Sequence, residues 1–212
     1  MSEAKDWAGE TEQHVLDEAV RLAPASGWSR QTVVAAAAAA GLSEPEAELL
    51  LPHGARDLAA LLSRRHDEKA LAALSLQDPS TLKIRERIRA GVVARLDAAR
   101  ADEAAVRRWA GFLSLPLNLP LALRLVWESA DHIWRWAGDT ATDENHYSKR
   151  AILSGILITC LAIDMASGRE AALAHLDRSI DNVMAFEKWK AGIKPAELAR
   201  DVAGALGKMR YR

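Results

Sequence analysis

The densest chemistry in the sequence lies in WRWAGDTATDENHYSKRAILSGILITCLAI, residues 134–163. Asp143 is well placed to cap a helix, because its carboxylate can accept a free backbone N–H. His146, Tyr147 and Arg150 follow at offsets of 3, 4 and 7, which places all four residues on one helix face. Lys149 and Arg150 fall near the start of that helix, where the macrodipole disfavours cations, so they call for acidic partners. Asp139 and Asp143 can supply these within the chain, giving a cap with a local ion pair. A second protein can supply them instead, giving a binding face of Asp139, Asp143, His146, Tyr147 and Arg150.

The other reactive residues form no catalytic set. A helical di-iron site needs Glu and Glu-x-x-His from paired helices, whereas Glu128 and His132 are four apart and have no counterpart. HExxH, Gly-rich phosphate loops and G-x-S-x-G are all absent. Ser154 has no His or Asp placed by sequence to activate it, and Cys160, inside an apolar run, reads as buried and inert. The expectation is a non-enzyme without metal or cofactor.

Helices must position these residues, since no strand-like alternation occurs anywhere. Val15, Ala19 and Leu22 mark a helix over 10–24, ended by Pro24 and Gly27. Ser29 caps a second over 30–40 and Ser43 a short third over 44–51. This order, with A-G-L-S between the last two, resembles the N-terminal module of TetR-type repressors. The third helix reads EPEAELLL, and its Glu44, Glu46 and Glu48 would repel DNA, so the module is expected to keep the fold without binding nucleic acid.

Further helices are expected over 55–76, from Asp78-Pro79-Ser80 onward with Ile84, Ile88, Val92 and Leu96 as its stripe, and after Asp102. In the first of these, Arg64, Arg65 and Lys69 alternate with Asp57, Asp67 and Glu68 and read as a solvated face. Arg85, Arg87 and Arg89 have few acids near them in sequence. PLNLP at 116–120 predicts a break before a long helix over 121–137. Gly138 and Gly168 read as helix stops. The run 151–163 has no charge; its thirteen residues are short of the ~20 needed to span a bilayer, so it reads as a core helix or the wall of an apolar cavity. A helix over 169–190 follows.

The bulk numbers fit this outline. The chain has 212 residues, half of them hydrophobic, and a net charge of −1, which gives no global pull toward nucleic acid or membrane. One cysteine suits a reducing compartment, and the polar N-terminus shows neither a signal peptide nor an Arg-rich transit segment, which favours a bacterial cytoplasmic protein or a chain already trimmed. Seven Trp against two Phe and two Tyr suit either core filling or apolar pockets. Trp109, Phe112, Leu113, Leu125, Trp127, Ile152, Ile156 and Cys160 are the expected lining of such a pocket.

Three segments result. Residues 1–53 form the helix-turn-helix-like module, 54–193 a larger helical domain, and 194–212 a final amphipathic helix. The last carries five cations against two acids, a net +3, with Leu198, Val202, Leu206 and Met209 as its stripe and Lys208 and Arg210 on its polar side. That helix suits an anionic membrane surface; it equally suits a docked helix closing the core or a dimer interface.

Asp131-His132-Ile133-Trp134, Ala137-Gly138-Asp139, Asp143, Asn145, Tyr147-Ser148-Lys149-Arg150, Ala151 and Leu153 stand in an order and spacing similar to the COQ9 family of ubiquinone-biosynthesis proteins. Leu176-Asp177-Arg178, Ile180 and Val183-Met184 fit as well. The resemblance implies an all-α, TetR-like bundle of about nine to ten helices, a homodimer, and an isoprenoid lipid or quinone precursor in a hydrophobic pocket. It also implies a C-terminal helix peripheral to the inner membrane and assistance to a COQ7-like hydroxylase. Mitochondrial relatives tend to carry an aromatic at the place of Glu144 and Trp at the place of His146, so the partner face here is less sticky. The competing expectation is a TetR-like transcriptional regulator with a hydrophobic ligand pocket.

Overall fold

The computed structural model describes the backbone of residues 2–140 and 144–192 and the side chains within 8–140 and 145–185. Among the described residues it is all-α, in the arrangement of a TetR-like bundle. The helices are α1 (Ser2–Ser26), α2 (Arg30–Ala39), α3 (Glu44–Leu50), α4 (Ala55–Leu74), α5 (Ile84–Arg100), α6 (Glu103–Leu113), α7 (Leu119–Trp136), α8 (Glu144–Ser167) and α9 (Arg169–Gly192).

The ends of these helices follow from local residues. The Thr32 N–H donates to the Ser29 hydroxyl at the start of α2. At the start of α3 the Glu46 carboxylate accepts from the Ser43 N–H at 2.8 Å and from its hydroxyl at 2.6 Å. Pro24 lies inside α1 rather than ending it; the helix continues to Ser26 and Gly27 closes it at φ 69°. Asp78-Pro79-Ser80 opens a 3₁₀ turn, Pro79–Thr81, and α5 begins only at Ile84. A second 3₁₀ turn, Pro116–Asn118, separates α6 from α7, whose first turn accommodates Pro120.

Two apolar cores form. In the first, Val15, Leu16, Leu58 and Leu62 meet Trp109, Leu113 and Leu125, joining α1–α4 to α6 and the start of α7. In the second, Val92, Leu96, Ile133, Leu153, Leu157, Cys160, Leu176 and Ile180 join α5, α7, α8 and α9. Gly91 lets α5 approach α7 closely, because a Cβ there would run into Ile133 Cγ2. The charges on α5 that lack local partners find them on other helices. Arg85 meets Asp181 at 2.9 Å and Arg89 meets Asp177 at 2.7 Å, both on α9, while Arg87 donates to the Ala137 carbonyl.

α8 is 24 residues long, because Arg150 and the polar residues before it belong to the same helix as the uncharged run. By length and composition its stretch Asn145–Ser167 could cross a membrane, yet Leu153, Ile156, Leu157 and Cys160 pack in the second core, where the core-or-wall reading puts the uncharged run.

Candidate functional site

The C-terminal end of α7 meets the N-terminal end of α8 in a tightly bonded corner. Gly138, at φ 88°, turns the chain out of α7: its N–H donates to the Arg135 carbonyl and the Asp139 N–H to that of Trp134. This turn brings Asp139 under α8. Arg150, 2% exposed, donates from Nε to Asp131 at 2.6 Å and from Nη1 to Asp139 at 3.0 Å and to the His146 carbonyl at 3.2 Å. Lys149 reaches Asp139 at 2.7 Å, Arg135 reaches Asp131 at 2.6 Å, and the Trp134 indole donates to the Lys149 carbonyl while the Lys149 ammonium lies 5.2 Å from the Trp134 ring centre.

Burial pushes the carboxyls of Asp131 and Asp139 up. The cations outweigh it, and both sit below the ordinary carboxylate range, Asp131 through Arg150 and Arg135 and Asp139 through Lys149 and Arg150. The acids that offset the dipole penalty of Lys149 and Arg150 are thus Asp139, as spacing suggested, and Asp131, which it did not suggest. Arg150 and Asp139 face inward and hold the corner. Outside it, Tyr147 is 64% exposed, with its ring 5.2 Å from that of His146 and 6.2 Å from Trp127. Asp143 lies outside the described residues, as do Leu198, Val202, Leu206, Lys208, Met209 and Arg210.

Beside the corner is a cavity of about 390 Å³ between α5, the end of α7, α8 and α9. Its apolar wall includes Ile84, Ile88, Ile152, Ile156, Ile180 and Val183; Lys149, Asp139, Asn145 and Arg85 give it a polar side. Of the eight pocket residues expected from sequence, Ile152 and Ile156 line it. Phe112 lines a different cleft, between α2, α3 and the break before α7. Trp109, Leu113 and Leu125 pack in the first core, with the Trp109 indole donating to the Ala59 carbonyl at 2.9 Å. Trp127 is half-buried beside Tyr147. Cys160 is fully buried in the second core, and burial pushes its thiol up to about 11.

A second polar cluster has no counterpart in the sequence reading. Asp67, 5% exposed, accepts from Arg95 at 2.6 Å and from the Ser129 hydroxyl at 2.7 Å, and His132 Nδ1 lies 3.9 Å from it, an ion-pair distance too long for a hydrogen bond. The adjacent residue, fully buried His66, meets Asp102 at 2.8 Å, so Asp102 turns toward α4 rather than capping α6. The solvated-face reading of α4 therefore fails for Asp67 and Arg65. A sequence signal existed: the apolar stripe Leu58, Leu62, Ala70 and Leu74 steps by four directly through His66.

Two comparisons bear on this geometry. The COQ9 family model matches residues 119–187, which carry α7, α8, most of α9, the ion-paired corner and much of the cavity wall. A mitochondrial ubiquinone biosynthesis protein COQ9 from Xenopus tropicalis is 32% identical over 171 residues, 74% of this chain and 52% of the relative. Those from Rattus norvegicus and Homo sapiens are each 30% identical, over 86% and 74% of this chain. The chain is similar to the COQ9 family. It spans about half the length of most of the COQ9 relatives it matches, and 62% of the rat protein. The stretch matched by the COQ9 model contains Asp131, Asp139, Lys149 and Arg150 together, so the corner and the matched segment coincide.

Proposed function

We propose that this chain acts in ubiquinone biosynthesis as a lipid-binding accessory protein rather than an enzyme. It takes up an isoprenoid or quinone precursor and presents it to a membrane-associated, COQ7-like hydroxylase. The cavity between α5, α7, α8 and α9 carries the reading: one amphiphile can lay its tail against Ile84, Ile88, Ile152, Ile156 and Ile180 and turn its ring toward the Lys149 and Asp139 side. Each buried CH₂ contributes about 0.8 kcal/mol, so a polyprenyl tail gains much from even partial enclosure.

The partner face is the surface around His146 and Tyr147, with Arg150 and Asp139 holding it from beneath. The net +3 stretch 194–212 attaches the chain, as a homodimer, to the cytoplasmic face of a bacterial inner membrane. Native mass spectrometry of the full chain from its host tests the lipid. A bound isoprenoid mass, reduced by Ile152→Trp with unfolding temperature unchanged, is the expected result. Absence of any lipid, together with no thermal shift on adding isoprenoids, defeats the reading.

A further inference from the structure

The run 109–123 contains no charged residue and places leucine at every second position from 113 to 123. The chain is not extended there. It passes through the 3₁₀ turn Pro116–Asn118, and α6 and α7 meet across the break at 95°. Leu113 goes into the core, whereas Leu115 is 53%, Leu117 78%, Leu119 46% and Leu123 61% exposed. Single exposed leucines are ordinary; four around one bend are not. Taken as a pair, the two helices are long and apolar enough to enter a bilayer by length and composition.

Several polar groups of the bend are satisfied from inside. Asn118, 4% exposed, donates to the Phe112 carbonyl at 2.9 Å and accepts from Arg56 Nε at 3.0 Å; Arg56 Nη2 donates to the Leu117 carbonyl at 2.9 Å, and the Asn118 N–H to that of Leu115 at 2.8 Å. A segment entering hydrocarbon must be bonded in this way, since no water is there to do it. Charge around the bend is also ordered. Outward from the uncharged run, the first charged residues on either side are arginines, Arg108 and Arg107 before it and Arg124 after it. The acids Glu103 and Glu128 come a turn later, pairing with Arg107 at 2.8 Å and Arg124 at 3.8 Å. Glu44 and Glu48 stand behind the bend across a cleft of about 710 Å³, with Arg30 3.6 Å from Glu44.

We propose that the bend between α6 and α7 inserts Leu115, Leu117, Leu119 and Leu123 into a phospholipid bilayer, with Arg56, Arg107 and Arg124 at the level of the phosphates. An apolar tip collared by guanidinium groups matches hydrocarbon beneath a phosphate layer. This contact is separate from the one assigned above to residues 194–212.

The test uses the full chain with Leu117→Cys, labelled with an environment-sensitive nitrobenzoxadiazole; native Cys160 is buried, its thiol pushed up to about 11, and does not compete. On vesicles with phosphatidylethanolamine in excess of phosphatidylglycerol, the label's emission should shift blue and be quenched by nitroxide-bearing lipids. Leu119→Glu with Leu123→Glu should lower the vesicle-bound fraction about tenfold. Leu198→Glu with Leu206→Glu should leave the label's shift on bound chain unchanged. A label that stays aqueous on chain held by vesicles overturns the insertion of the bend while leaving the C-terminal attachment standing. No retention of the chain by vesicles overturns both. A blue shift that grows with protein concentration without vesicles overturns it in favour of a contact between copies.

Discussion

At its N-terminal end α7 carries leucines into solvent; at its C-terminal end it carries charges into the protein. Leu117, just before the helix, is 78% exposed, whereas Arg150, packed on the far end, is 2% exposed. The two ends lie on the order of 27 Å apart on an 18-residue helix. Ordinary surfaces show the reverse pairing of polarity and exposure. At the leucine end, Asn118 and Arg56 bind carbonyls of the bend, and leucines and prolines make up most of the side chains that face out. At the charged end, Asp131, Asp139, Lys149 and Arg150 bind one another so that α8 is fixed on α7 at one angle. The charged end thus specifies geometry, and the leucine end has its contact still to make.

The sharpest way to break this contrast is Arg150→Met. It leaves half-buried Asp131 and Asp139 with only Arg135 and Lys149 as partners, and losing the buried cation of such a network costs up to about 3–5 kcal/mol. Urea unfolding should show that loss, and Asp131→Asn with Asp139→Asn in the same chain should restore most of it. A cost under about 1 kcal/mol would mean that the corner does not hold α8. By contrast, Leu119→Glu with Leu123→Glu, which removes the proposed membrane contact, should move stability by no more than about 0.5 kcal/mol per site, as for ordinary surface positions.

Gly138→Ala comes next in size. At φ 88° a Cβ is strained, a cost on the order of 1–2 kcal/mol, and it would also stand 3.4 Å from Arg87 Nη1. The same unfolding curves measure it. A neutral result would detach the corner from the turn that feeds it.

The charged end was partly legible in the sequence and the leucine end was not. Gly138 and Asp139 are within a dozen residues of Arg150, so helical spacing and capping rules find them. Asp131 is 19 residues from Arg150 and reaches it only because α7 and α8 fold back on each other. Distance hid the α9 partners of Arg85 and Arg89 in the same way. On α4, alternating charges look alike whether they face water or the Arg95 guanidinium, and the solvated reading failed there. Apolar character marks core and cavity wall alike. Trp109 and Leu113 fill the first core, and of the eight expected pocket residues only Ile152 and Ile156 line the cavity. The break at 116–120 was visible from its prolines, but which leucines it would turn outward depends on the 95° angle between two helices.

Between the two ends of α7 lies the cluster of buried Asp67, Arg95 and Ser129 with half-buried His132, and His66, next to Asp67 in the chain, meets Asp102; it yields the smallest effect. Burial lowers the His66 imidazole, outweighing Asp102, whereas the nearby Asp67 carboxylate raises that of His132 against its burial. Asp102 is held below the ordinary carboxylate range mainly by its bond from His66, so it stays ionised and His66 Nε2 carries the proton it accepts. Below the ordinary imidazole value of about 6.5, folding must keep His66 neutral, so its contribution is lost as pH falls toward its folded value. The contribution of His132 is complete below about 6.5 and is lost as pH rises through its higher folded value. The two groups together place a maximum of stability near pH 6.5. His66→Gln should flatten the acid side of the profile and His132→Gln the alkaline side. Imidazole resonances followed by NMR should titrate with His66 below and His132 above the ordinary value. The reverse order would mean that the middle of α7 is wetter than its packing implies, and that the buried charge belongs to its C-terminal end alone.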